Sequence, residues 1–394
     1  MSMKNLYVKF ITFAIISATI FFFWAHLFPE LVLVREQMNI FIWNFTFFKE
    51  KLLTIGGFAN YCAAFLSQFF YFIKYGVLIY IILFWFLYYA CYLLIKRINK
   101  HFEHRYTKII APLSIISAIT ISALMLRLDV QLDFYLAIII TFFTIALMPS
   151  NTHVLLIAIT FFISYWLIGP LSFLILIPQI HSITRGLFLL LTALITIVFS
   201  YSVSYYPIRT IFVGVNYIWT NNQIFGTTTD ARCDFYFRMS MWKQLSQMPI
   251  NTAATKHIQE YALLKQNKQY EEKLFTGLAD AHQTLTGCLP CFMMSDLCLK
   301  LGLFGMSQRA AFEGMVAMPT HQYNARSLKR LAETALITQQ FDLAQKYTSV
   351  LKQTLFYSKW ANDVYQMASQ QKISDPNYKM LHDIYQKSDD KFFY

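Results

Sequence analysis

Apolar positions run almost unbroken through the first half of the chain. Residues 10–28 form the first such run, behind Lys4 and Lys9. A membrane span needs about 20 apolar residues, and short spans about 17, so the run predicts a first span. It ends in Trp24, His26, Phe28 and Pro29 with no small-residue cleavage pattern. We therefore expect an uncleaved span with its N-terminus in the cytoplasm. The hydrophilic stretch 29–57, with Glu30, Arg35, Glu36, Lys49, Glu50 and Lys51, would then be external. Over 58–73, Phe58, Tyr61, Cys62, Phe65, Leu66, Phe69, Phe70 and Ile73 recur at helical spacing, with Asn60, Ser67 and Gln68 off the stripe. This predicts an amphipathic helix at the outer interface, with a re-entrant segment as the alternative.

Further spans follow at 75–95, 109–125, 134–148 and 187–204. The run 154–180 would be about 40 Å long as one helix, and Gly169-Pro170 interrupts it. Proline suits the first turn of a new helix and ends the old one, which favours two short spans and seven in all. Six spans is the alternative and places the C-terminal half in the cytoplasm. The basic loop Lys96, Arg97, Lys100, Arg105 and Lys108 belongs inside, while Arg127, Asp129 and Asp133 arrive outside.

Beyond residue 206 the pattern changes. Residues 205–229 read as a linker, and the remainder is helical by composition, rich in Leu, Ala, Gln, Lys and Glu. The stretches 301–315 and 335–349 align at an offset of 34, with Ala310 on Ala344 and Leu303 on Ile337. Residues 253–275 share the style without a clean offset. A period near 34 resembles a tetratricopeptide repeat, so the expectation is an all-α chain: a polytopic helical bundle over 1–206, with an external interfacial segment at 29–73, then a soluble tetratricopeptide-like domain over 207–394. Such solenoids present concave binding surfaces. An irregular helical bundle is the alternative.

Composition supports this division. Hydrophobic residues make up 57% of the 394 positions and charged residues 14%, against about 25% charged in soluble domains. Nineteen charged residues fall in 1–206 and 35 in 207–394. The net charge of +12 reflects basic residues beside apolar spans and comes with no nucleic-acid motif. Cys288-Leu-Pro-Cys291 has the spacing of free helical thiols, a local disulfide, or a redox or zinc pair. No second pair completes a tetrahedral zinc site, the nine histidines are scattered, and no glycine-rich phosphate loop is present. Neither a metal nor another cofactor is expected.

The densest chemistry is Glu30 with Arg35-Glu36-Gln37 beyond the first span. Neighbouring residues on a helix face different ways, so Arg35 and Glu36 each need another partner. Arg127, Asp129 and Asp133 are expected on the same side. A carboxylate there could serve as general base, with Arg35 or Arg127 holding a phosphate; an interfacial ion-pair cluster is the structural alternative.

Two resemblances bear on this. Arg35-Glu36-Gln37, Gly56-Gly57, Gln68-Phe69-Phe70-Tyr71, Gln308-Arg309-Ala310, Arg330-Leu331-Ala332-Glu333-Thr334, Lys346-Tyr347, Thr354-Leu355-Phe356-Tyr357 and Trp360-Ala361 resemble an uncharacterised family of bacterial integral membrane proteins. That family pairs a polytopic N-terminal half with a helical repeat-like C-terminal half, and the resemblance implies architecture without activity. In layout alone the chain is also similar to membrane glycosyltransferases that use polyprenyl-phosphate sugars. This similarity implies Glu36 as base, with Arg35, Arg127 and Asp129 in the site. The expected setting is a bacterial inner membrane with the C-terminal half external. The expected partners are the bilayer and a protein or glycan held by the helical half; nucleic acid is not expected.

Overall fold

A computed structural model describes residues 3–101, 106–149, 152–204, 208–214, 226–266, 277–278, 287–318 and 323–388. These residues are helical throughout, without a strand. Most of the expected linker at 205–229, His104 and Arg105 of the basic loop, and the end of 253–275 lie outside the described residues. Two compact units form, each discontinuous in sequence. One takes residues 1–23, 44–66 and 74–220, the other 24–43, 67–73 and 221–394. This differs from a division at 206: two segments expected in the membrane half are built into the C-terminal unit.

The first unit contains α1 (Met3–Phe22), α3 (Phe45–Leu52), α4 (Gly57–Ser67), α5 (Ile73–His101), α6 (Ile110–Ala123), α7 (Leu132–Leu147), α8 (Val154–Ile168), α9 (Ile183–Val203) and α10 (Arg209–Val213). Four helical runs in the described chain are long and apolar enough to cross a membrane: Phe10–Leu27, Ile73–Lys100, Thr107–Leu126 and Ile183–Val203. Leu132–Leu147, Val154–Ile168 and Pro170–Gln179 are shorter apolar helices.

Hydrogen bonds define two ends of this bundle. At one, the Trp166 indole donates to the Leu52 carbonyl at 2.8 Å, the Gly56 amide donates to the Trp166 carbonyl at 2.9 Å, and the Tyr165 hydroxyl donates to the Ile211 carbonyl at 2.9 Å. At the other, Arg97 donates to the Ile145 carbonyl and Arg185 to the Thr152 carbonyl at 2.5 Å. So α8 rises from the Arg97 end to the Trp166 end, and α9 starts again from the Arg97 end. The break falls at the expected pair: Gly169 has φ +88° and Pro170 opens the next segment. That segment is not a second α-helix. It consists of 3-10 turns at Pro170–Ile175 and Ile177–Gln179. A 3-10 turn rises about 2.0 Å per residue against 1.5 Å for an α-helix, so fewer residues cover the return.

In α4 the small and polar positions pack inward and the aromatic stripe does not. Ala59, Asn60, Ala63, Ala64 and Ser67 are buried, whereas Phe58, Tyr61, Cys62 and Phe65 are exposed or half-buried. Small residues permit close helix approach, as Ala59 does beside Ala137 and Ile168. The aromatic stripe points outward. At the N-terminus of α4, Gly56 takes φ +74°, and a methyl group on Gly57 would overlap the Lys51 carbonyl. Overpacking costs about 1–3 kcal/mol when side chains can yield, and here the obstacle is backbone. Gly57→Ala should therefore lower stability by about 3 kcal/mol. Gly186→Ala, whose methyl group would meet only the flexible Ile180 side chain, should be nearly neutral. Thermal denaturation of both variants in detergent checks this.

The second unit is built around α2 (Pro29–Glu36), which is buried from Glu30 to Glu36, its charged residues included. It packs against α11 (Thr228–Arg238) and the 3-10 turn Gln68–Tyr71. Past α12 (Trp242–Leu245) and α13 (Ala253–Lys265) come α14 (Cys288–Leu301), α15 (Phe304–Val316), α16 (Ala325–Ile337), α17 (Phe341–Leu351), α18 (Ser358–Ser369) and α19 (Pro376–Lys387). Consecutive helices from α14 to α18 pack on one another. Buried Ala310, Ala311, Gly314, Ala332, Ala335, Ala344, Ala361 and Ala368 line the contacts. Ala310 and Ala344 are both buried, as the alignment requires. The positive-φ turns at Gly302 and Gln339, however, stand 37 positions apart rather than 34, and the second helices begin at Phe304 and Phe341 with the same spacing. A slip of three is almost one helical turn of 3.6 residues, so the buried face stays in phase and periodicity alone cannot detect it.

Candidate functional site

The second unit brings Arg35-Glu36-Gln37 among residues far along the chain. Glu36, at the end of α2, accepts a 2.8 Å hydrogen bond from the Tyr357 hydroxyl. Around them Asn39, Phe41, Gln68, Thr354 and Phe356 line a cavity of about 20 Å³, room for one water. The Gln68 side-chain amide and the Asn39 side-chain oxygen are buried, with no hydrogen-bond partner among the described residues. Aromatic rings pack beside it: Tyr71 stacks on Phe356 at 5.6 Å and meets Tyr357 edge-on at 5.3 Å. Burial pushes the Glu36 carboxyl above its usual range, with Arg238, the Tyr357 hydroxyl, Arg326 and Lys329 acting against it. Burial likewise drives the Tyr357 hydroxyl well up.

Beside this carboxylate lies a cluster that the sequence did not announce. Arg326 forks onto Asp234 at 2.6 and 3.0 Å and onto Asp296 at 2.6 and 3.1 Å, and donates to the Gln37 side-chain oxygen at 2.8 Å. Arg330 bridges Asp296 at 2.5 Å and Glu333 at 2.8 Å. Asn324, the N-cap of α16, also donates to the Gln37 carbonyl. Burial opposes the charge on Asp296, yet Arg326 and Arg330 overcome it and hold the carboxyl well below the usual range. Glu30 accepts two bonds from Arg232 at 2.9 and 3.1 Å. Arg35 is buried, with its guanidinium 3.5 Å from the Met38 sulfur. Arg35 and Glu36 thus take separate partners.

Arg127 and Asp129 fall in the first unit, whereas Arg35 and Glu36 fall in the second. The Arg127 guanidinium forks onto Asp129 at 2.6 and 2.9 Å, with Asp129 buried. The same unit holds a buried relay missed by sequence reading: Lys51 donates to the Asn60 oxygen at 2.5 Å, and the Asn60 amide donates to Asp133 at 3.3 Å. Burial lowers the Lys51 amine to about 8 against the pull of Asp133 and Glu50. No two of the six cysteines are joined by a disulfide. Cys288 and Cys291 are buried in the first turn of α14, and burial pushes each thiol up to about 12. Among the described residues, no three His, Cys, Asp or Glu side chains group closely enough to hold a metal ion.

Residues 4–394 match the model of a family of unknown function, DUF6057. The chain belongs to that family. No curated protein and no solved structure matches it. In this DUF6057 chain, Arg35-Glu36-Gln37, Gln68-Phe69-Phe70-Tyr71 and Thr354-Leu355-Phe356-Tyr357 meet at the Glu36 cavity, with Arg330 and Glu333 in the adjoining ion cluster. Gly56-Gly57 belongs to the other unit.

Proposed function

We propose that this DUF6057 protein is a membrane-anchored adaptor of the bacterial inner membrane whose repeat-like helical domain binds a protein or polymer partner. The observation that carries this reading is the enclosure of Glu36. A base acting on a sugar acceptor must come within hydrogen-bond reach of it. Glu36 faces Tyr357 and a cavity with room for one water. Its segment ties the first apolar helix to a packed helical domain, which suits anchoring better than sugar transfer.

The first unit supports seven crossings, with the 3-10 stretch Pro170–Gln179 as the returning one. The Arg97 end, which also carries Lys96, Lys100, Lys108 and Arg185, then faces the cytoplasm by the positive-inside rule. Segments 24–43 and 67–73 are part of the second unit, so whichever side receives residues 29–43 also receives the C-terminal helices. With a cytoplasmic N-terminus that side is external. Cys298 cannot report it, being fully buried. A thiol introduced by Ser369→Cys, at an exposed position, should react with an impermeant reagent in intact spheroplasts. Reaction only after lysis would place residues 29–43 and the C-terminal helices together in the cytoplasm, with residues before the first span outside.

Glu36→Gln decides between anchoring and sugar transfer. The amide oxygen can still accept from Tyr357, and the change removes a buried charge. The folded-state pKa of Glu36 is raised, so its contribution to stability is present below the unfolded value of about 4.3 and is lost as pH rises through the folded value. Glu36→Gln should therefore fold at neutral pH at least as well as wild type, with cell-surface glycans and partner capture by cross-linking unchanged. A stably inserted Glu36→Gln protein that reproduces the phenotype of a null strain would sink the adaptor reading.

A further inference from the structure

The first unit contains a cleft that the adaptor reading leaves unused. It lies between α5, α7 and the 3-10 stretch, has a volume of about 410 Å³, and is walled by Leu94, Ile98, Phe142, Leu174 and Ile177 with Arg97 as its charged group. We propose that this cleft binds an anionic phospholipid, an acyl chain lying along the apolar wall and the phosphate on Arg97. The proposal rests on the first unit lying in lipid, and on nothing in the second.

Three observations support it. Arg97 uses one guanidinium donor on the Ile145 carbonyl, and a guanidinium has five. Lys96 and Lys100 flank it on α5, while the only carboxylate on the lining elements is Asp133, at the opposite end of α7. A field of one sign at a helix end is what an anionic headgroup requires. Ile98 and Ile177 are largely exposed at the cleft mouth, so a chain can enter from the side. Irregular backbone at membrane depth is tolerated where it is buried in protein or lines a cavity, and here the 3-10 stretch forms one wall. A free phosphate ion would satisfy the guanidinium alone and leave the apolar wall unfilled. The shape therefore selects the lipid.

Delipidated full-length protein in detergent can be titrated with phosphatidylglycerol, phosphatidylcholine or inorganic phosphate, with binding read by native mass spectrometry and by the thermal midpoint. Phosphatidylglycerol should bind about tenfold more tightly than phosphatidylcholine, because both offer the phosphate but choline brings a fixed cation to the end that carries Lys96, Arg97 and Lys100. Arg97→Gln should abolish that preference, and Leu174→Trp, which fills the cleft and leaves Arg97 in place, should weaken both lipids. Equal binding of the two lipids to wild type, the same stabilisation by phosphate alone, or undiminished phosphatidylglycerol binding to Leu174→Trp would each overturn the proposal. Arg97 also caps α7, so if Arg97→Gln does not fold, Leu174→Trp and the phosphate arm decide. Solubility without detergent, read on the same sample, would instead count against the membrane reading itself.

Discussion

Arg326→Ala should cost the second unit about 3–5 kcal/mol, the range for removing one partner from a buried ion pair. The variant leaves Asp234 and Asp296 buried beside an empty space, and Gln37 loses the donor to its side-chain oxygen. Total stability of a domain is about 5–15 kcal/mol, so the loss should be visible as early exchange of the amides in α11, α14 and α16. Arg326→Lys should rescue little, because an ammonium has three donors and no planar fork, against the five bonds Arg326 makes to Asp234, Asp296 and Gln37. Arg309→Ala, which breaks an exposed pair with Glu313, is the control and should change stability by at most about 0.5 kcal/mol. The cluster also predicts an acid limit. The folded pKa of Asp296 is depressed, so its stabilisation is complete above the unfolded value of about 3.9 and is lost as pH falls through the folded value. Wild type should weaken below about pH 4, and the Arg326→Ala variant, in which Asp296 keeps only Arg330, should show a shallower acid slope. A full-sized acid slope in the variant would show that the pairing does not set the acid limit.

The coarse plan was legible in the sequence because it depends on length and polarity alone. Apolar runs of about 20 residues declare themselves, and the break at Gly169-Pro170 followed from backbone chemistry. Three features were hidden for physical reasons. In α4, the spacing of the aromatic stripe does not tell which face packs on the protein: alanines and Asn60 turn inward and phenylalanines outward. The ion cluster joins Gln37, Asp234, Asp296 and Arg326 across hundreds of positions, and local spacing has no access to such a pairing. The slip between 34 and 37 preserved helical phase. Arg35-Glu36-Gln37 was singled out as chemistry, and its place in the fold shows why a polar triplet follows an apolar run. Glu36 and Gln37 meet partners supplied by the C-terminal helices.

Residues 207–394 expressed alone should fail to form a cooperative fold, although composition marks them as a water-soluble domain. Their core is completed by chain from before and after α4. Leu31, Val32, Leu33, Val34, Met38, Ile40, Phe41 and Phe70 are all buried, and Ile40 packs with Ala325, Leu328, Leu351 and Ala361. Burying a large apolar side chain is worth about 1.5–3 kcal/mol. Even discounted for a compact unfolded state, the eight together supply on the order of 10 kcal/mol, as much as a whole domain's margin. The extended segment after α2 adds a backbone bond from the Trp43 amide to the Gln353 carbonyl at 2.8 Å. The isolated fragment should therefore aggregate or bind a hydrophobic dye, with little amide protection in α11 and α16. Fusing residues 28–43 ahead of it should restore much of that protection. Adding Arg326→Ala to the fusion should remove the gain, because Gln37 and Arg326 belong to the same lock. A monomeric 207–394 fragment with a sharp unfolding transition would mean that α2 sits on a finished domain rather than inside an unfinished one.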